Sequence, residues 1–224
     1  MKPRDIFIKA CNEIAVPFIE KGFKPYKNGQ CLKKGANDKD LTFEISFHSS
    51  VYNSSCSIAI YPLISISSKS LKKWEQKECD NINSDGLVYQ NHIGYLSPIN
   101  EFRSWNLAGL SYELSVKRII ELIENYALPI FDLFEDRYTA ICFIAHHGCC
   151  FNQYAKDSLL ALPYMLMCAE NEQAEDYFNH YLHSCKGRNR FINAYSQLEK
   201  NEVIDCGLDN RFVTLAYNQG LKIK

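Results

Sequence analysis

In the first half of the chain, apolar positions recur at helical spacing and then at strand spacing. Phe7, Cys11, Ile14 and Phe18 fall on one helical face within residues 6–21, with Asp5 placed to cap the start and Gly22 to stop the end. Pro17 removes a backbone donor inside that run, so a kink or an early stop is expected there. Asn28-Gly29, set between two short alternating runs, predicts a two-residue hairpin, because both turn positions need positive φ. Residues 41–48 alternate strictly, with Phe43, Ile45 and Phe47 against Thr42, Glu44, Ser46 and His48, as in a strand with one dry face. Residues 56–66 repeat the pattern with Ile58, Ile60, Ile64 and Ile66 in phase. Pro62 interrupts this second run and cannot donate to a ladder, which places the strand at a sheet edge or a bulge. A polar helical piece over 70–79, the turn Ser84-Asp85-Gly86 and a strand over 87–96 follow.

From residue 111 the spacing turns helical and stays so. Val116, Ile119, Ile120, Ile123, Ala127, Ile130, Phe131 and Phe134 draw one stripe, with Pro129 as a kink. Further helices are expected at about 137–147, 155–169, 171–184, 188–200 and 209–218. The sum is an α+β fold. An N-terminal helix with an antiparallel sheet occupies 1–136, and a mostly helical part occupies 137–224. No Gly/Ser linker separates them, so the two parts can also share one core.

Composition narrows the functional classes. The 224 residues are 46% hydrophobic and 23% charged, which is globular, and the formal net charge of −1 gives no field for nucleic acid or an anionic membrane. Residues 1–110 hold 14 Lys/Arg against 11 Asp/Glu and residues 111–224 hold 11 against 15, so the second half is the expected face for a basic partner. The start shows neither a long apolar stretch nor a small-residue cleavage site, and no apolar run is long enough to span a bilayer, so a cytoplasmic protein is expected. Ten cysteines without a secretory signal are read as free thiols, with Cys11, Cys56, Cys142 and Cys168 acting as small hydrophobes inside apolar patterns.

The candidate chemistry is thin. His146-His147-Gly148-Cys149-Cys150 holds metal-ligand residue types, but neighbours on a helix diverge by about 100° and glycine ends it, so a helix terminus and turn is the better reading. His180 and His183 share a helix face, yet the surrounding residues lack the H-E-x-x-H pattern. No nucleophile elbow, phosphate-binding loop or dinucleotide fingerprint is present. Glu44, on one strand face with His48, is the nearest thing to a general base, in a place usually solvated. We therefore expect no catalytic residue, metal or cofactor. Two acidic patches stand out, Asp132, Glu135 and Asp136, and residues 170–178. Helix N-terminal acids have a structural account through the dipole. As a partner surface, the second patch would use Glu170, Glu172, Glu175 and Asp176 as rim, with Tyr177 and Tyr181 as anchors.

Several features come together in one layout: a helix ending in Gly22-Phe23-Lys24, Tyr26, the strand run over 41–47, a Pro/Ile-rich second strand, and Trp105 leading into the helix at 111–134. Over residues 5–135 this resembles bacterial α+β immunity proteins of contact-dependent growth inhibition and other polymorphic toxin systems. The resemblance implies a protein that binds and neutralises a cognate toxin domain by occlusion, without catalysis. A basic, nucleic-acid-attacking toxin would suit the acidic half. The alternatives are a small cytosolic hydrolase or nuclease with a His/Cys or metal site, and an adaptor subunit of another complex.

Overall fold

The computed structural model describes residues 2–78, 83–185 and 187–224. The fold is α+β: an N-terminal helix, an antiparallel sheet, then a mostly helical second half. Helix α1 (Pro3–Glu20) buries Phe7, Ala10, Cys11, Ile14, Ala15 and Phe18, the stripe expected from their spacing. Pro17 leaves α1 intact, because only one further turn follows it. Strands β1 (Lys24–Tyr26), β2 (Cys31–Gly35), β3 (Leu41–Ser49), β4 (Ala59–Ser68) and β5 (Leu87–His92) lie in that order, and β6 (Trp105–Asn106) pairs the start of β4.

The hairpin is present, but its loop is longer than two residues. Tyr26 pairs with Cys31, and Lys27, Asn28 and Gly29 all have positive φ. Glycine suits position 29 for a second reason, since a Cβ there would push the Asn12 carboxamide of α1 aside.

Pro62 was expected at an edge or bulge. Instead β4 lies inside the sheet, between β3 and β5. The physical reason is a seam. Beside β4, β6 stops opposite Ile60, and the Pro62 carbonyl accepts from Ile93 N–H at 3.2 Å just past the end of β5. The proline thus falls where one partner strand gives way to the other. The second strand also starts later than its pattern suggested. Residues 54–57 form an isolated bridge ahead of it, which leaves Cys56 exposed and not packed as a small hydrophobe.

The long stripe helix is three pieces, α3 (Tyr112–Leu122), a π-turn (Ile123–Ala127) and α4 (Leu128–Leu133). Leu128 N–H donates to the Ile123 carbonyl, five residues back, and the wide turn takes up the donor that Pro129 lacks. Phe131 of α4 then stacks on Phe43 of β3 at 5.0 Å between ring centroids, with Phe23 at 5.9 Å.

The remaining helices are α2 (Lys69–Glu78), α5 (Arg137–His147), α6 (Leu162–Cys168), α7 (Asn171–Ser184), α8 (Arg188–Glu199) and α9 (Asn210–Asn218). The helix expected over 155–169 is confined to α6. Asp157, Ser158 and the residues before Ala161 are held by side-chain contacts in an irregular path. Cys79, the expected end of the polar helix, lies outside the described residues.

The chain forms two compact units, Met1–Ser67 with Gln90–Glu135, and Ser68–Tyr89 with Asp136–Lys224. The segment carrying α2 therefore groups with the C-terminal helices. Recounted by unit, the charges are 12 Lys/Arg against 12 Asp/Glu in the first and 13 against 14 in the second. The asymmetry between halves is absent from the folded units.

Candidate functional site

The acidic patch expected to meet a partner is largely engaged within its own unit. Glu170 and Gln173 form a capping box at the start of α7, and Glu172 lies exposed in its first turn. Glu175 and Asp176 both receive the Lys224 ammonium, at 3.2 and 2.9 Å. Tyr177 is completely buried and donates its hydroxyl to the Ser158 carbonyl, and Tyr181 reaches Asp209 at 3.3 Å. The anchor role expected of Tyr177 is thereby corrected: an aromatic at this helix phase faces the core. In the other patch, Glu135 pairs with Lys34 at 2.9 Å and Asp136 caps α5 through Thr139 N–H at 2.7 Å.

The His/Cys clusters resolve into a carboxylate hub. Asp157, whose side chain is 4% exposed, accepts from Cys149 N–H (2.7 Å), Ser158 N–H (2.9 Å), His180 Nδ1 (3.0 Å) and, more distantly, the Ser184 hydroxyl (3.4 Å). Gly148, with φ +60, ends α5 directly against this carboxylate, where a Cβ would not fit. His146 bonds back to the Cys142 carbonyl at 2.7 Å, and His183 to that of Asn179 at 2.7 Å. Among the described residues no group of three or more His, Cys, Asp or Glu side chains could hold a metal ion. Burial pushes the Cys149 thiol up to about 12, as it does Cys11 and Cys31, so these three stay protonated at neutral pH and supply no thiolate. Glu44 is bound to Lys33 at 2.8 Å, and His48 stacks on Tyr61.

A different surface, in the first unit, has the make-up of a contact site. Ser111, Leu114, Ser115 and Arg118 recur at helical spacing and form one wall of a groove of about 690 Å³. Ile99, Arg103 and Trp105 line the other wall. The two walls are fastened together. The Ser115 hydroxyl donates to the Asn106 carbonyl at 2.7 Å, and the Asn106 side chain accepts from the N–H groups of Ile58 and Ala108 at 2.9 and 3.0 Å.

Leu114 is 73% exposed, Phe102 is 52% exposed, and Leu110 is fully exposed. The Phe102 ring is nevertheless fixed from beneath by His92 at 4.6 Å and Tyr61 at 5.3 Å. His92 also stacks parallel to Trp105 at 6.3 Å and accepts from Gly94 N–H at Nδ1. Desolvation lowers the His92 pKa below its ordinary value, against a smaller opposing pull from the Arg103 backbone. The platform under Phe102 is thus a neutral imidazole.

Sequence reasoning missed this groove, because residues 99–106 have no periodicity. One signal was available. Leu114 lies two positions before Val116, nearly opposite the apolar stripe, where a leucine has no core to enter.

The groove, with its apolar and arginine-bearing rim, is set on an α+β scaffold. Residues 14–133, which include most of the groove and more than half of the chain, match the family described as a domain of unknown function (DUF4304), and the chain belongs to that family. No curated protein and no solved structure matches it.

Proposed function

We propose that this DUF4304 protein binds a partner protein through the groove between α3 and residues 99–106, and that the partner is a cognate bacterial toxin domain neutralised by occlusion in the cytoplasm. The groove carries the reading. It brings together Arg103 and Arg118, a residue type enriched at interface hot spots, with Leu114 exposed on one wall, Trp105 in the lining and the exposed Phe102 next to Arg103 in sequence. The assignment of the partner to a toxin is drawn from the resemblance over residues 5–135. The described residues contain no helix long and apolar enough to cross a membrane, in keeping with action away from the bilayer.

A reaction-centre reading has less support. His146 is tied to a backbone carbonyl, His183 to a carbonyl and Arg188, and the most buried thiols are held protonated, so only His180, oriented by Asp157, resembles a general base and no activated thiol stands with it among the described residues.

The test begins with the neighbouring gene, which should encode a large secreted toxin ending immediately upstream, and proceeds to co-expression with that toxin's C-terminal domain. The wild-type protein should restore growth and form a stable complex. Leu114→Asp combined with Arg118→Glu should abolish both with an unchanged circular dichroism spectrum, since both side chains are exposed. Full protection by the folded variant would remove the groove from the account. Failure of the wild-type protein to bind the toxin domain would remove the immunity function.

A further inference from the structure

Beyond α9, residues 221–224 lie outside any helix or strand, against α7, and are held mainly through their backbone. The Asn179 carboxamide, on a residue only 5% exposed, donates from Nδ2 to the Lys222 carbonyl at 2.8 Å and accepts at Oδ1 from Lys224 N–H at 2.7 Å. Glu175 accepts from Lys222 N–H at 3.2 Å, and Arg188 donates to the Lys224 carbonyl. Such contacts read main chain, whatever the side chains. Selectivity enters at two points. Leu221 is buried, and the Lys224 ammonium lies between Glu175 and Asp176. Main-chain hydrogen bonds for affinity, with pockets at alternate side chains for specificity, are how proteins recognise extended peptides.

The track does not end with these residues. A groove of about 610 Å³ adjoins it, lined by Arg188, Ile192, Tyr195 and Tyr217. The Tyr195 hydroxyl and the Arg188 Nε are buried without a hydrogen-bond partner. Buried polar groups left in that state are uncommon, and here two of them stand beside an already bound peptide segment.

We propose that the surface formed by α7 and α8 is a binding site for an extended, lysine-bearing segment of another protein, and that residues 221–224 occupy it in cis. Charge complementarity fixes the chemistry of the occupant: a cation for Glu175 and Asp176, two positions beyond a main-chain group for Asn179, and an aliphatic anchor before it. A tethered segment competes at an effective concentration in about the millimolar range, so an incoming one must make contacts that residues 221–224 do not. The adjoining groove lined by Ile192, Tyr195 and Tyr217 offers them. The site is separate from the α3 groove, and its existence does not depend on the partner being a toxin.

The test uses a fluorescein-labelled Gly-Leu-Lys-Ile-Lys peptide titrated into the full chain by fluorescence anisotropy. The wild-type protein should bind it weakly. Leu221→Ala with Lys224→Ala loosens the cis segment and should tighten binding at least about tenfold. Adding Asn179→Ala, or Glu175→Gln with Asp176→Asn, should remove that gain. A peptide with its last lysine replaced by glutamate should not bind. If Leu221→Ala unfolds the chain, Lys224→Ala alone carries the same comparison, because its side chain is half exposed. No binding to a loosened variant shown folded by circular dichroism, or binding indifferent to Asn179 and to the two carboxylates, would overturn the proposal.

Discussion

The two compact units differ in where they place carboxylates. The first encloses a nearly all-apolar core of α1, the sheet and Phe131, and leaves Phe102, Leu110 and Leu114 outside. The second carries charge inward. Asp157 is sunk among donors, and Glu75, 3% exposed, is closed off by the Ser84 hydroxyl and the Arg211 guanidinium. A buried carboxylate with its acceptors filled is a fastener for irregular chain, here residues 148–161 and 83–86. An exposed leucine on the polar face of a helix fastens nothing. The buried Asp157 and Glu75 thus hold irregular chain in place, and the proposed contact surface rests on plain leucine and phenylalanine.

The largest expected effect probes the apolar core of the first unit. Phe131→Ala removes the ring stacked on Phe43 and should cost about 3–5 kcal/mol, read as a lower urea midpoint. A cost below about 1 kcal/mol would mean that the sheet does not depend on α4.

Next is the hub of the second unit. Asp157→Asn keeps the volume and an Oδ1 that can still accept from Cys149 N–H and Ser158 N–H, but removes the charge and the Oδ2 acceptor used by His180 and Ser184, and should cost about 1–3 kcal/mol. If it is neutral, Asp157 is not a fastener and a functional role for its pairing with His180 returns.

The smallest effect returns to the first unit and sharpens the contrast. His92 is its buried titratable platform, with a folded pKa lowered by desolvation from 6.5. Below 6.5 the unfolded chain takes up a proton that the folded chain resists. The stability contributed by neutral His92 is thus complete at neutral pH and is lost as pH falls below 6.5, at most about 1.4 kcal/mol per pH unit. Urea midpoints measured between pH 7 and pH 5 should fall in the wild-type protein and flatten in His92→Gln. Parallel slopes would place the acid sensitivity elsewhere.

Periodic segments were legible and aperiodic ones were not. The spans 137–147 and 171–184 coincide with α5 and α7, because Ile141 with Ile144 and Tyr177 with Phe178 and Leu182 mark their inner faces. Residues 155–161 looked helical by composition, yet their path is set by Asp157, a tertiary contact that no local pattern contains. Pro62 was misplaced for a similar reason. Whether a strand needs a given donor depends on where its neighbours end, and β6 lies more than forty residues away in sequence. The acidic run at 170–176 was correctly seen as acidic, but its pairing with Lys224 depends on where the far end of the chain returns.

The π-turn at Ile123–Ala127 makes the length of this segment a property of the core. One residue on a helix is worth about 100° of rotation. Ile119 and Leu122 before the turn and Ile130 and Phe131 after it all point inward only because the turn holds one residue more than an α-helix would. Adding a further residue to 123–127, or removing two, would act as a frameshift in three dimensions, turning Phe131 away from Phe43, whereas removing one would let the turn close into an α-helix with both flanks still facing inward. Within this family, that stretch should therefore vary by one residue in length while the buried positions on either side keep their apolar character.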